Sequence, residues 1–202
     1  MYQWRTLSEP ERAEVLTSRQ RNGRPWHSPP HWAHDGPARF HLSATCYEHA
    51  PHIGQSPARM DAFSDELLSV CATPLTHVTA WCMLPNHYHL LLETPSLRAL
   101  TAAIGRLHGR TSRTWNLEER TTGRSVFHRA ADRLIRSEGH FWATLNYVHH
   151  NPVRHGYVAR WTDWPWSSAC DYLRSVGREE AVRIWKRHPL LEYGANWDDP
   201  DL

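Results

Sequence analysis

Hydrophobic positions along the chain alternate between two spacings, and the changes of spacing predict the elements. In "RFHLSATCY", residues 39 to 47, Phe40, Leu42, Ala44 and Cys46 fall at every second position, as on a strand with one buried face. After Ser56 and Pro57 the spacing becomes three and four, with Met60, Phe63, Leu67 and Leu68 forming the stripe of a capped helix. "LTHVTAWCMLPNHYHLLLE" then returns to strand-forming residues on both sides of Pro85 and Asn86. It predicts a kinked strand or a hairpin, and the missing N–H of proline favours an interruption. Ser96 opens a helix with Leu97, Leu100, Ile104 and Leu107 inward, running toward Trp115, with Arg106, Arg110 and Arg113 on another stripe. "SVFHRAADRLIR" reads as a strand. Ser137 caps a helix with Phe141, Leu145 and Val148 on one side, and Pro152 predicts its end near Asn151. "DWPWSSACDYL" reads as a Trp-rich loop and "REEAVRIWKRH" as a last amphipathic helix. Upstream, Ser8 and Glu11 stand in capping-box spacing, predicting a helix over about residues 9 to 21 with Gly23 as its stop. "GRPWHSPPHWAHDGP" follows as an extended arm. The order β, α, β, α, β, α predicts an α+β domain, an antiparallel sheet with helices packed on one face.

Composition narrows the picture. A chain of 202 residues has room for one compact domain with appendages. No run reaches the eighteen or so apolar residues of a membrane span, and "MYQWRTLSEPER" lacks an apolar leader, so a cytoplasmic protein with no membrane partner is expected. Cys46, Cys71, Cys82 and Cys170 form no CxxC pair and are expected to be reduced core thiols. Net charge is only +2, but all but one of the 23 basic residues are arginine, which binds anions in a planar, bidentate way. Between Arg98 and Arg136, nine arginines stand against Glu118, Glu119 and Asp132. Such an excess suits a phosphate backbone, and a solvated helix face is the plainer alternative.

Candidate chemistry begins at "PNHYHLLLE". On a strand His87 and His89 share a face while Tyr88 points the other way, so the two imidazoles can grip one cation or can simply pack. "MLPNHYHLLLE", "LNYVHHNPVRHGYV" and "WPWSSA", in this order, resemble the single-tyrosine HUH transposases of the IS200-like superfamily, above all their REP-associated tyrosine transposase branch. There the pattern runs close to MPNHxHLLL, a capped helix, YxxxNPVRxGxV and W/YxxSS. The resemblance covers about residues 37 to 172. It implies a ferredoxin-like sheet, the HUH endonuclease fold, over residues 37–175, flanked by a helix and Pro-rich arm at 1–36 and a helix and tail at 176–202. It further implies that His87 and His89 hold Mg2+ or Mn2+ against a scissile phosphate, with a third ligand from an amide or carboxylate on the helix after the pair. By position that ligand is Asn116, with Glu119 and Glu118 behind it.

The resemblance also implies a tyrosine nucleophile on that same helix, a few residues before an Asn. The matching stretch, "LHGRTSRTWN", has no tyrosine. Tyr147 is one substitute, although aromatic packing is the commoner use of a tyrosine at a helix end. Ser112, activated by His108 one turn earlier, is another. His149 and His150 diverge by about 100° on a helix and do not converge on one ion. Trp161, Trp164 and Trp166 can stack on unpaired bases or pack in the core, and the arm residues Trp26, His27, Pro29, Pro30 and Trp32 allow the same two readings. Arg106, Arg110, Arg113, Arg124 and Arg154 are the expected DNA contacts. The expected function is binding of single-stranded or hairpin DNA of REP type, with metal-assisted cleavage and rejoining. The alternative is a domesticated DNA-binding protein that no longer cuts. A monomer is expected, with a dimer as the other possibility.

Overall fold

A computed structural model describes residues 7–21 and 36–190. Helix α1 spans Glu9–Arg21, and both Ser8 N–H and the Ser8 hydroxyl donate to the Glu11 carboxylate at 2.6 Å, the first of these bonds being one half of a capping box. The stop at Gly23 and the arm lie outside the described residues. The domain is built from β1 (Ala38–Thr45), α2 (Pro57–Cys71), β2 (His77–Met83), β3 (His87–Thr94), α3 (Leu97–Glu118), β4 (Ala131–Leu134) and α4 (Glu138–Arg154), followed by α5 (Ala169–Val176) and α6 (Arg178–Arg187). The strands form one antiparallel sheet in the order β2-β3-β1-β4. With α2 and α3 as its crossovers, this is the ferredoxin-like βαββαβ arrangement.

Residues around Pro85 form a hairpin rather than a kinked strand, because Leu84 N–H donates across the turn to His87 O at 2.8 Å. Gly54, in a short 3-10 turn before α2, sits directly against this turn. Its N–H donates to Pro85 O at 2.9 Å, and a Cβ on it would lie 2.3 Å from Pro85 Cβ. No other residue fits there without moving the turn.

One face of the sheet follows the expected pattern. Phe40, Leu42, Ala44, Tyr88, Leu90 and Leu92 bury against α2 and α3, which contribute Met60, Phe63, Leu67, Leu100, Ile104 and Leu107. The expectation that helices occupy one face holds for α2 and α3, but α4 covers the other. It packs on β2 and β3, so His87, His89 and Leu91 are buried too. A strand covered on both sides reads as a nearly continuous apolar run, which is why "HLLL" does not alternate.

Two boundaries differ from expectation. α4 continues through Pro152 to Arg154: the proline sits in the last turn, where it removes one helical hydrogen bond, and Asn151 O still accepts from His155 N–H at 3.0 Å. The stretch read as a Trp-rich loop contains α5. Before α5 it lines the β2 edge, with Met83 N–H to Trp166 O at 2.8 Å and Ser168 N–H to Trp81 O at 3.0 Å. In "SVFHRAADRLIR" only Ala131–Leu134 is strand, and Phe127 makes an isolated bridge to Cys46. Among the described residues no helix is long and apolar enough to cross a membrane. Cys46, Cys71 and Cys82 are buried free thiols as expected, but Cys170, near the start of α5, is exposed rather than in the core.

Candidate functional site

His87 opens β3, and pleating puts its side chain beside that of His89, with Tyr88 on the opposite face. The two rings lie 5.0 Å apart, centroid to centroid. Their tautomers follow from neighbours. Asn86 Nδ2 donates to His49 O at 3.2 Å, which fixes that amide and turns Oδ1 to His87 Nδ1 at 2.8 Å. An amide oxygen only accepts, so Nδ1 carries the proton and His87 Nε2 presents a lone pair. For His89, Nδ1 meets His41 Nε2 at 3.1 Å, leaving Nε2 as the nitrogen that can face a ligand. His41 comes from β1, and the sequence reading did not single it out.

The third side of the cluster is α4. Tyr147 and Asn151 are four residues apart and share a helix face. The Tyr147 ring stands edge-on to His89 at 5.2 Å and to His41 at 5.7 Å. Asn151 Oδ1 lies 3.2 Å from His87 Nε2, while its Nδ2 is buried with no hydrogen-bond partner. With Oδ1 toward Nε2 two lone pairs converge, an arrangement a cation relieves. Turned over, the amide would instead donate to Nε2, and the pair would stand without an ion. Two imidazole nitrogens and an amide oxygen therefore fit a divalent ion as donors. Among the described residues no group of three His, Cys, Asp or Glu side chains could hold one, so the amide is needed.

These groups are deeply covered: His87, His89 and Tyr147 are each 1% exposed and Asn151 is fully buried. At the end of α4, Arg154 and His155 are exposed. The Arg154 guanidinium carbon lies 5.8 Å from the Tyr147 ring centroid, and the His155 ring lies 5.0 Å from that of His87.

The remaining sequence candidates lie elsewhere. Asn116, Ser112 and His108 are on α3, behind the sheet, and the sheet separates them from the histidine pair. Asn116 is engaged by Arg124, accepting from Nε at 3.0 Å and donating to Arg124 O at 2.7 Å. Glu118 and Glu119 pair with Arg59 at 3.1 Å and 2.5 Å, and Glu119 also with Arg124 at 2.6 Å. Hydrogen bonds from Arg124 and Arg59 hold the Glu119 carboxyl below its usual range. Arg124 is thus part of an ion-pair network that ties α2 to the end of α3. Ser112 Oγ donates to His108 O at 2.6 Å, and His108 Nε2 is 3.0 Å from Tyr88 Oη, so this imidazole is not turned to the serine. Burial lowers the His108 pKa to about 4. Arg106, Arg110 and Arg113 form an exposed stripe on α3, facing away from the histidine pair. Trp164 and Trp166 are structural: their indole N–H groups donate to Met83 O at 2.8 Å and to Asp61 at 2.7 Å.

Besides His41, Asn151 is a residue of this cluster that the sequence pattern did not single out as a ligand. Its spacing of four from Tyr147 was the available signal, hidden because Asn before Pro also reads as a helix stop.

No family model matches the chain. A Haemophilus influenzae protein described as a REP-associated tyrosine transposase is 31% identical to it over 123 residues, 56% of this chain and 68% of the relative. A solved structure of a REP-associated tyrosine transposase bound to a REP hairpin superimposes with a TM-score of 0.55 at 16% identity, over 71% of this chain and 82% of that one. At that identity the likeness is one of fold.

Proposed function

Because the chain belongs to the REP-associated tyrosine transposases of the IS200-like HUH superfamily, we propose that it binds hairpin DNA with an unpaired flank and cuts it with Tyr147 as nucleophile. The observation that carries this reading is the placement of Tyr147 and Asn151, one turn apart on α4, against the imidazoles of His87, His89 and His41. α4, not α3, supplies both the attacking group and the amide ligand. The absence of tyrosine from residues 107–116 then costs nothing.

In this reading His87 Nε2, His89 Nε2 and Asn151 Oδ1 hold the divalent ion. Imidazole nitrogens suit Mn2+ better than Mg2+, which prefers oxygen ligands. When bound, the ion supplies Lewis acidity to a phosphoryl oxygen and offsets the charge that builds there. The Tyr147 oxygen forms a bond to phosphorus as the bond to the 3′ oxygen breaks. The phenol proton is lost, the leaving oxygen takes one up, and the 5′ end stays joined to the tyrosine. Attack by a 3′ hydroxyl on this adduct reverses the step and rejoins strands. Asn86 and His41 keep the two ligand nitrogens facing inward, as partners of metal-bound histidines do. Arg154, at the exposed end of α4, meets the phosphate next to the nucleophile. In this reading one chain carries every group the step needs, so a monomer can complete it.

The burial of the site favours a second reading, a hairpin binder that does not cut. Cleavage needs α4 to draw back from β3 far enough to admit a phosphate. The test is a labelled hairpin with a single-stranded flank, incubated with the protein and Mn2+ and resolved on a denaturing gel. The cleavage reading expects a protein–DNA adduct, lost in Tyr147→Phe and in the double variant His87→Ala/His89→Ala, with hairpin affinity kept. Tight binding without adduct or cut fragments supports the binder. An adduct that survives Tyr147→Phe rules out the assigned nucleophile.

A further inference from the structure

On the face of the sheet opposite the histidine pair, a cleft of about 430 Å3 runs between α3 and residues 129–130, which lead into β4. Nothing in the cleavage reading uses it. Arg98 and Arg129 line it, both exposed, and among the described residues neither guanidinium has an ion-pair or hydrogen-bond partner. No acidic side chain lines the cleft. Its third nitrogen donor is His108, 7% exposed. Tyr88 Oη lies 3.0 Å from His108 Nε2 and has no other hydrogen-bond partner among the described residues. Burial holds the Tyr88 phenol well above its usual range, so the O–H keeps its proton and donates to Nε2. Nδ1 must then carry the imidazole hydrogen. It meets no acceptor among the described residues, yet it is not one of the orphan atoms sealed in the interior: it keeps accessible surface, and the cleft is the opening that His108 lines. Gly105 forms part of the floor. It is helical, in the middle of α3, and a Cβ on it would meet nothing within 4 Å, so neither backbone geometry nor packing asks for glycine. Glycine weakens a helix interior relative to alanine, and what it keeps here is the open space in front of it. Two guanidiniums, one neutral N–H and no carboxylate select an anion. Both faces of the His108 ring are stacked against phenylalanines, Phe127 at 4.2 Å and Phe63 at 6.3 Å, so a base finds no platform and the group recognised is a phosphate.

We propose that this cleft seats a backbone phosphate of the paired stem of the hairpin, gripped by Arg98 and Arg129 and met by His108 Nδ1–H, with Gly105 leaving room for the sugar–phosphate chain. The proposal rests on the reading of the protein as a hairpin binder, and it adds which surface takes the stem. The cleft lies beside β4, the edge strand next to β1, so a stem held there leaves its flank to pass round that edge toward the histidine face. Contacts of this kind position a duplex without reading its sequence. A free phosphate has the same chemistry, and the experiment separates the two.

Affinity is measured by fluorescence anisotropy at several salt concentrations, for one hairpin with its unpaired flank and for the same stem without it. Wild type is compared with Gly105→Leu, which fills the cleft without changing charge, and with the double variant Arg98→Gln/Arg129→Gln. Leucine is a good helix former and meets open space at this position, so the fold is kept, and thermal melts check it. The expected result for Gly105→Leu is a loss of about tenfold in affinity, with or without the flank. The double variant is expected to show a salt dependence shallower by about one phosphate contact. Wild-type affinity in Gly105→Leu, or a loss seen only when the flank is present, would overturn the proposal. If wild type binds neither DNA, the hairpin reading fails instead, and titration with inorganic phosphate decides on the cleft. A saturating change in the NMR signal of His108 Nδ1–H that is absent in Gly105→Leu keeps the cleft as an anion site with a free phosphate as its ligand, and no change removes it.

Discussion

Asn86 illustrates how much one amide can decide. Its Nδ2 is committed to His49 O, and that bond dictates which nitrogen of His87 is bare. Asn86→Ala removes the constraint without touching a ligand atom. It should weaken Mn2+ binding by about 10- to 100-fold, read by calorimetry or by the Mn2+ resonance signal, with circular dichroism unchanged. Full-strength binding would mean the ring is oriented by something else. His108 gives a second prediction, in pH. Its folded pKa is lowered to about 4, below the ordinary histidine value, so the unfolded chain takes up a proton that the folded chain resists. Stability should therefore fall as pH drops from about 6.5 toward 4, and this group adds no further loss below that. His108→Gln should flatten the slope between urea melts at pH 7 and pH 4.5; an unchanged slope would place the titration elsewhere. At this scale the histidine pair was legible because alternation alone puts His87 and His89 on one face. Their partners were not: His41 sits 48 residues away across a ladder, and no spacing rule reaches across strands.

Among the elements, α4 joins two tasks: it covers the second face of the sheet, and it carries Tyr147 and Asn151. Leu145 is fully buried in that interface. Leu145→Ala should cost about 2–5 kcal/mol of folding stability, measured by denaturant titration, and should also loosen Tyr147 against His89. Element order was readable from periodicity and caps: Ser56, Ser96 and Ser137 each accept a backbone N–H at the start of the helix that the sequence placed there. The sheet face taken by each helix was not. α3 and α4 are both amphipathic and both follow strands, so nothing in their patterns told which of the two meets the histidine pair. The packing of α4 on β2 and β3 is what brings it to the histidines.

Over the whole molecule, two sets of described arginines differ in what they meet. Arg59 and Arg124 are bound up with Glu118 and Glu119, while Arg106, Arg110 and Arg113 project to solvent on the face remote from the histidine pair. The window of excess charge that looked like a single DNA footprint is thus partly scaffold. Replacing the three exposed arginines with glutamine should reduce the salt dependence of hairpin affinity by up to about three phosphate contacts, without loss of adduct at saturating DNA. A salt slope equal to wild type would show that this face is only solvated. One small contact has a long reach. Because Gly54 leaves no gap against Pro85, the turn before α2 and the approach to β3 form a single mechanical piece. Anyone transplanting the histidine pair onto another scaffold would have to graft both segments together, since a lengthened loop at residue 54 would misalign imidazoles more than thirty positions downstream.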